Sequence, residues 1–292
     1  MNKIHTVTLN PAIDIRNGTR YAGGKGINVS RALHNLGVKD VLTYTLVGGE
    51  RGEELLYLME EAGLDYVVQE IADETRKTEI VQGWPEVKRS SASPEVHGAE
   101  TGQLVEKLRK NVSKEDYVVL AGSLPAGINH IIYGYLISNL QTKGAKVILD
   151  SSQTNALKYG MWQRPFAMKP NVQEWAAVTG AEGAIDEVLE EMSKKHSLEY
   201  AIAMQGPEGL TLVNSCGAIK ATPPEITVGS TVGSGDAVTA GFLYGKLHNF
   251  VDESLARFAT ACGTASAEKE GTELCNFDDA WRITKEVEVR KI

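Results

Sequence analysis

The chain has 292 residues, 42% of them hydrophobic and 23% charged, and its 30 Lys plus Arg against 38 Asp plus Glu leave a net charge of −8. This suits one large α/β domain spanning residues 1–292, and the acidic balance without any dense basic run excludes nucleic acid as the main partner. No apolar run approaches the ~18 residues of a membrane span, and Cys216, Cys262 and Cys275 are too few and too scattered for a disulfide framework or a zinc site, so no membrane is expected and the location is read as cytoplasmic.

In chain order, residues 4–9 (IHTVTL) read as a strand, ended by 10-NPAID-14, where Asn10 and Pro11 suit a turn. Next comes 23-GGKGIN-28, opening a helix near Ile27–Leu36 that Gly37 stops. Its plain reading is a glycine turn before a helix. Its functional reading is close approach of the backbone to a polar ligand, with Lys25 and Asn28 as donors. A strand at 41–47 and a helix at 53–63 follow, and between about Ala72 and Gly98 a polar stretch reads as a small strand-and-turn excursion.

A buried strand at 117–122 leads into 121-AGSLPAG-127, then a helix at 131–140 and a strand at 146–150. Further strands are expected at 166–169, 200–204 and 210–213, with helices near Val172–Thr179 and Ile185–Lys195. The last third is mostly helical, from Asp236 to Glu268 and from Asp278 to Glu286. Such alternation implies a largely parallel sheet covered by helices on both faces. Sheets of this kind bind ligands at the carboxyl ends of their strands, where nearly all the Gly- and Asn-rich segments fall.

Two of those segments carry chemistry. In 169-KPNVQEW-175, Asn171 as N-cap with Glu174 three residues on is a capping-box variant; alternatively their oxygens orient water around Mg²⁺. In 233-GSGD-236, Gly233, Ser234 and Gly235 leave the backbone bare at the start of an apolar helix, whose free N–H groups and dipole attract anions. Asp236 is then either an ordinary acid of the first turn or a base held beside an anion. There is no G-x-x-x-x-G-K-[ST], so the chain is not a P-loop protein. The absence of G-x-G-x-x-G after the first strand argues against a dinucleotide-binding dehydrogenase.

The order NPAID, GGKGIN, AGSLP, KPNxxE and then GSGD leading into an AGF helix resembles the ribokinase-like (pfkB) carbohydrate kinases over essentially the whole chain. Within them it is similar to the phosphosugar kinases, 1-phosphofructokinase first and tagatose-6-phosphate kinase close behind. The resemblance implies a three-layer α/β/α ribokinase-like fold with a largely parallel central sheet and a small β lid, its elements around 12–22 and 72–98. It implies ATP-dependent phosphorylation of a ketose phosphate, fructose 1-phosphate to fructose 1,6-bisphosphate, with tagatose 6-phosphate, or an unphosphorylated sugar or nucleoside, as alternatives. A catalytically silent sugar-phosphate sensor is the rival of a different class.

On the same resemblance Asp236 is the catalytic base, with Gly233, Ser234 and Gly235 as the anion hole for the γ-phosphoryl group. Asp14, Gly24, Lys25 and Asn28 match sugar-binding positions; Lys169, Asn171, Glu174, Gly206, Gly209 and Gly263 fall on the nucleotide side. ATP and Mg²⁺ are implied, the metal through water on Asn171 and Glu174, as is a homodimer through the lid. Two departures stand out. Only eight residues, 15–22, separate Asp14 from Gly23 where relatives have a longer lid stretch with a phosphate-binding arginine. Either residues are missing from the chain as given near Asn17–Arg20 or the lid is truly shortened, and a second gap is weighed near Gln82–Trp84. Arg20 is then expected to join Lys25 on the sugar phosphate. Met204 and Gln205 also stand where relatives carry Ser-Leu.

Overall fold

The computed structural model is described for all residues except 1, 82–85 and 182. Its first part runs β1 (Ile4–Thr8), β2 (Ala12–Arg16), β3 (Thr19–Gly23), α1 (Lys25–Asn35), β4 (Val41–Val47), α2 (Gly49–Glu61), β5 (Tyr66–Glu70), β6 (Arg76–Val81) and β7 (Val87–Ser90). The middle holds α3 (Gly98–Asn111), β8 (Tyr117–Ala121), α4 (Ile132–Gln141), β9 (Lys146–Asp150), α5 (Thr154–Trp162), β10 (Ala167–Met168), α6 (Val172–Thr179) and α7 (Ile185–His196). The last part is β11 (Tyr200–Met204), β12 (Leu210–Asn214), β13 (Gly217–Thr222), α8 (Ser234–Leu247), α9 (Asp252–Ala267), α10 (Phe277–Thr284) and β14 (Glu288–Lys291).

Ten strands form one sheet in the order β14-β13-β12-β11-β10-β9-β8-β1-β4-β5. From β11 to β5 every pairing is parallel, and β12, β13 and β14 add an antiparallel edge. Successive side chains of a strand point to opposite faces, and both faces here are covered, which is why β8 and β9 read as unbroken apolar runs. Val119 and Ile148 pack with α1, α8, α9 and α10 on one face. Their neighbours Val118 and Leu149 pack with α3 to α7 on the other. The result is the three-layer α/β/α architecture.

A second sheet, in the order β3-β2-β6-β7, forms the small lid. Ile13 and Ala22 join it to the body through Leu55 and Met59 of α2. The expected interruption near Asn17–Arg20 is not there. β2 and β3 pair from Ala12↔Gly23 to Arg16↔Thr19, and only Asn17 and Gly18 lie between them. Both have positive φ, 50° and 80°, the backbone of the two-residue turn whose twist matches a hairpin and for which Asn-Gly is the preferred sequence. The shortened connection is thus a tight hairpin. The second gap weighed near Gln82–Trp84 lies outside the described residues.

Candidate active site

The strand order reverses between β1 and β8, since the chain proceeds from β1 outward to β4 and β5 on one side and from β8 to β9 and β10 on the other. Such a switch point opens a crevice at the carboxyl ends. α1 starts over this crevice, where the Lys25 side chain lies against Gly122 at the end of β8.

At the crevice floor stands Asp150, the last residue of β9 and fully buried. Its Oδ1 accepts from Lys25 Nζ at 2.7 Å and its Oδ2 from Lys169 Nζ at 2.9 Å. Burial alone would raise its carboxyl; the two ammonium groups outweigh that and hold it well below the usual carboxylate range. A carboxylate in a dry site survives only when paired in this way. Thr239 of α8 adds a longer hydroxyl contact at 3.5 Å.

Asp236 is buried in the first turn of α8, and its Oδ2 accepts from Asn28 Nδ2 at 2.8 Å. Burial pushes its carboxyl up, Lys25 opposes this, and Asp150 adds to it. The helix opens at Gly233, whose φ of 84° is a left-handed conformation that glycine adopts without strain. Three features would suit this helix end to an anion. Lys169 Nζ lies 3.6 Å from where a Cβ on Gly235 would be. The Ser234 hydroxyl is buried with no hydrogen-bond partner among the described residues. The first-turn N–H groups have no intrahelical acceptor.

The lid supplies the opposite wall. Alternation along β2 sets Asp14 on the face away from α2, whereas Ile13 and Ile15 pack toward it. In register with Asp14 are Tyr21 of β3 and Thr78 of β6, and Thr78 in turn faces Ser90 of β7. Arg76 donates to Asn10 Oδ1 at 2.9 Å and to the Asn10 carbonyl at 3.0 Å. Buried Asn10 donates to Ser93 and Ser123 Oγ. Burial raises Asp14 to about 6 even though Lys88, Arg76 and Arg31 act to lower it. A side chain on Gly23 would overlap the Asp14 carboxyl, and one on Gly24 would meet Thr8 and Pro11, so these glycines are set by close packing around Asp14 and α1.

The geometry bears on two expectations here, those for Arg20 and Lys25. Arg20 does not face this wall: it lies opposite Ile15, is 52% exposed and pairs with Glu54 of α2. Lys25 has its ammonium on Asp150 at the floor, not on the lid side where Asp14 stands. The positive charges that act on Asp14 are those of Lys88, Arg76 and Arg31.

At the start of α6, Asn171 and Glu174 form a full capping box: Asn171 Oδ1 accepts from Glu174 N and Glu174 Oε2 from Asn171 N, each at 2.8 Å. Asn171 also bridges to Met204, so this loop lies beside the end of β11. Gly206 is exposed and open after β11, and a side chain on Gly209 would collide with the Ala221 carbonyl. Gln205 is held by Thr211 Oγ1 and Lys220 Nζ, which makes it a brace for β12 and β13. Gly263 is not laid open to a ligand; its missing side chain lets α9 approach Val238 and the Ser234 carbonyl of α8.

Among the described residues no three His, Cys, Asp or Glu side chains gather into a metal cage. With one Glu174 oxygen in the cap and both Asp150 oxygens on lysines, the donors fit Mg²⁺ that keeps its waters and arrives with phosphates.

The sequence profile of the pfkB family carbohydrate kinases matches residues 3–279. The chain belongs to this family. It is a carbohydrate kinase. It is 29% identical to the 1-phosphofructokinase of Vibrio cholerae, over 98% of this chain and 96% of that one. The 1-phosphofructokinase of Borreliella burgdorferi is likewise 29% identical, over 99% of both chains. Phosphofructokinase-2 from Escherichia coli, solved in complex with substrates and products, superposes with a TM-score of 0.90 at 27% identity, covering 97% of this chain and 99% of that one. The Vibrio alignment spans 315 positions, more than the 292 residues here, so that kinase carries stretches this chain lacks.

Sequence reasoning missed Asp150, and gave Lys169 a place without a partner. The signal was present in 146-KVILD-150, where an acid ends an otherwise apolar buried strand at the sheet's ligand-binding edge. Arg76 and Lys88 were missed because pairing across the lid, and Arg31 because the packing of α1 beneath it, rather than proximity in sequence, sets them about Asp14.

Proposed function

We propose that this kinase transfers the γ-phosphoryl group of ATP to a ketose phosphate, fructose 1-phosphate in the first place. The observation that carries the reading is the buried Asp236 carboxyl beside the bare N-terminus of α8, facing a lid wall where Asp14 stands among three cations. In this reading Asp14 accepts from the sugar hydroxyls, and Lys88 and Arg76 meet the phosphate already on the sugar. A net charge of −8 would otherwise repel such a substrate, so local cations have to hold it.

Asn28 fixes one Asp236 oxygen by its amide, so the carboxylate can take the proton of the attacking hydroxyl at the other. The hydroxyl oxygen forms its bond to the γ-phosphorus as the bond to the bridging oxygen breaks, and the electron pair leaves with ADP. Gly233, Ser234 and Gly235 N–H groups face the charge on the transferring oxygens, and Lys25 and Lys169, set by Asp150, add the positive charge. Mg²⁺ bound with the nucleotide would neutralise phosphate charge, held through water by Asn171 and Glu174. Gly206 and Gly209 then flank the nucleotide. ATP supply and unpaired cysteines fit the cytoplasm.

The test is Lys88→Met. Losing a charge-assisted contact costs ~1.5–3 kcal/mol, so KM for the ketose phosphate should rise about tenfold or more with KM for ATP nearly unchanged. An unaltered preference for phosphorylated over unphosphorylated ketose would contradict the assignment. Phosphofructokinase-2 from E. coli was also solved in complex with fructose-6-phosphate, which makes fructose 6-phosphate the other ketose phosphate to assay beside tagatose 6-phosphate. We also propose a homodimer through the lid, whose edge strand β7 is exposed throughout, with Val87 51% exposed beside Val81; a monomeric mass in solution would contradict it.

A further inference from the structure

The lid is fastened to the body at a point the reaction scheme above does not use. Arg16, the last residue of β2, and Glu86, just before β7, form an ion pair at 2.7 Å, with their side chains 6% and 7% exposed. Neither side chain stops at its partner. Arg16 also donates to the Gly271 carbonyl at 3.1 Å and the Gly229 carbonyl at 3.2 Å. Glu86 accepts from Ser230 Oγ at 3.0 and 3.1 Å and from Thr231 N at 3.1 Å. Ser230 Oγ in turn accepts from Val232 N at 3.2 Å. Four separate segments therefore meet on one buried charge pair, and two of its ties are to the backbone running directly into Gly233.

The geometry points to Arg16 and Glu86 as positioning residues that hold the 229–232 loop, and with it the N-terminus of α8, in the arrangement required for phosphoryl transfer. The physical argument is one of direction. A planar guanidinium in a fork fixes the angle between two carbonyls as well as their distance. A carboxylate that takes both a hydroxyl and a backbone N–H fixes the same loop from its other side. Displacing donors by about 1 Å from a developing charge costs a large factor in rate. The pair also belongs to the lid, so the lid's seating and the anion hole's geometry are set by the same contacts.

The inference rests on the reading of Gly233–Gly235 as the anion hole. The test is steady-state kinetics of Glu86→Gln, of Arg16→Lys, and of the double variant Arg16→Met with Glu86→Gln, each well below its own thermal midpoint and beside Asp236→Asn. The expected result for Glu86→Gln is a fall in kcat of fivefold or more while KM for both substrates moves by less than that factor. Arg16→Lys keeps the charge, loses the fork and falls in the same direction. The double variant, which leaves no buried charge unpaired, should lose no more than the worse single one, because the two residues act as a unit. It also decides the matter if Glu86→Gln does not fold. A smaller fall in kcat, or a loss carried by KM alone, overturns the positioning role. If Asp236→Asn stays active, the placement of the reaction at the N-terminus of α8, on which the anion-hole reading depends, itself falls; if it is inactive while Glu86→Gln turns over normally, only this inference does.

Discussion

Asp150 shows how much of the site's chemistry rests on a residue that touches no substrate in the proposed reaction. It pairs with two lysines, Lys25 and Lys169, and Lys169 is only 4% exposed. Asp150→Ala would leave that ammonium buried without its counter-charge, a change that costs ~3–5 kcal/mol in comparable buried pairs. A chemical denaturation midpoint clearly lower than the parent's is expected, and an unchanged midpoint would show that the pair contributes nothing net. Lys25, 30% exposed and seated on the same carboxylate, is assigned to the transferring phosphoryl group in the proposed reaction. Lys25→Met should therefore lower kcat more than it raises KM for the sugar phosphate; the reverse split in kinetics would return it to the sugar side.

At the scale of elements, the lid was the hardest part to read and its reason is local. The segment AIDIR-NG-TRYAG carries a hairpin signal, two alternating runs around Asn-Gly, which the comparison with longer relatives obscured. A side chain at position 18 would meet nothing within 4 Å, so only the backbone conformation limits it. Gly18→Val is expected to cost ~1–2 kcal/mol, the penalty of an L-residue at left-handed φ, read as a lowered thermal midpoint. By contrast β8, β9 and β11 were plain in the sequence because strands buried on both faces are dominated by apolar residues, and β1 and β4 were legible from their β-branched residues although they also bury His5, Thr6, Thr8, Thr43 and Thr45. β5, β13 and β14 escaped notice as edge or near-edge strands, where partial exposure mixes the pattern; α3 and α5 escaped because polar positions dilute their apolar stripe.

For the molecule as a whole, the motif order made the family and the three layers legible, while the charge contacts across the crevice depended on which residues the topology brings together. One whole-molecule consequence concerns pH. Burial raises Asp14 to about 6 in the folded protein, above the ~3.9 of an unfolded chain. The folded state then binds more protons than the unfolded one between those values, and this group's contribution to stability falls as pH rises through that window. Asp14→Asn removes the effect, so its thermal midpoint should exceed the parent's most above pH 6, with the gap closing toward pH 4. A gap constant with pH would contradict the buried carboxyl. In kinetics, the parent's KM for the sugar phosphate should rise below pH 6 as Asp14 takes up its proton and becomes a poorer acceptor.

The central claim is ATP-dependent phosphorylation of a ketose phosphate with Asp236 as the base. It is tested most directly by ATP turnover on fructose, fructose 1-phosphate, fructose 6-phosphate and tagatose 6-phosphate, run in parallel on the parent and on Asp236→Asn. The account predicts that a ketose phosphate, fructose 1-phosphate foremost, is turned over with the highest kcat/KM. It also predicts that the variant loses ~10²–10⁴ in kcat, the usual worth of a positioned acid–base group, with KM values near the parent's. Fructose preferred over every phosphorylated ketose, or an Asp236→Asn enzyme turning over at close to the parent's rate, would contradict it.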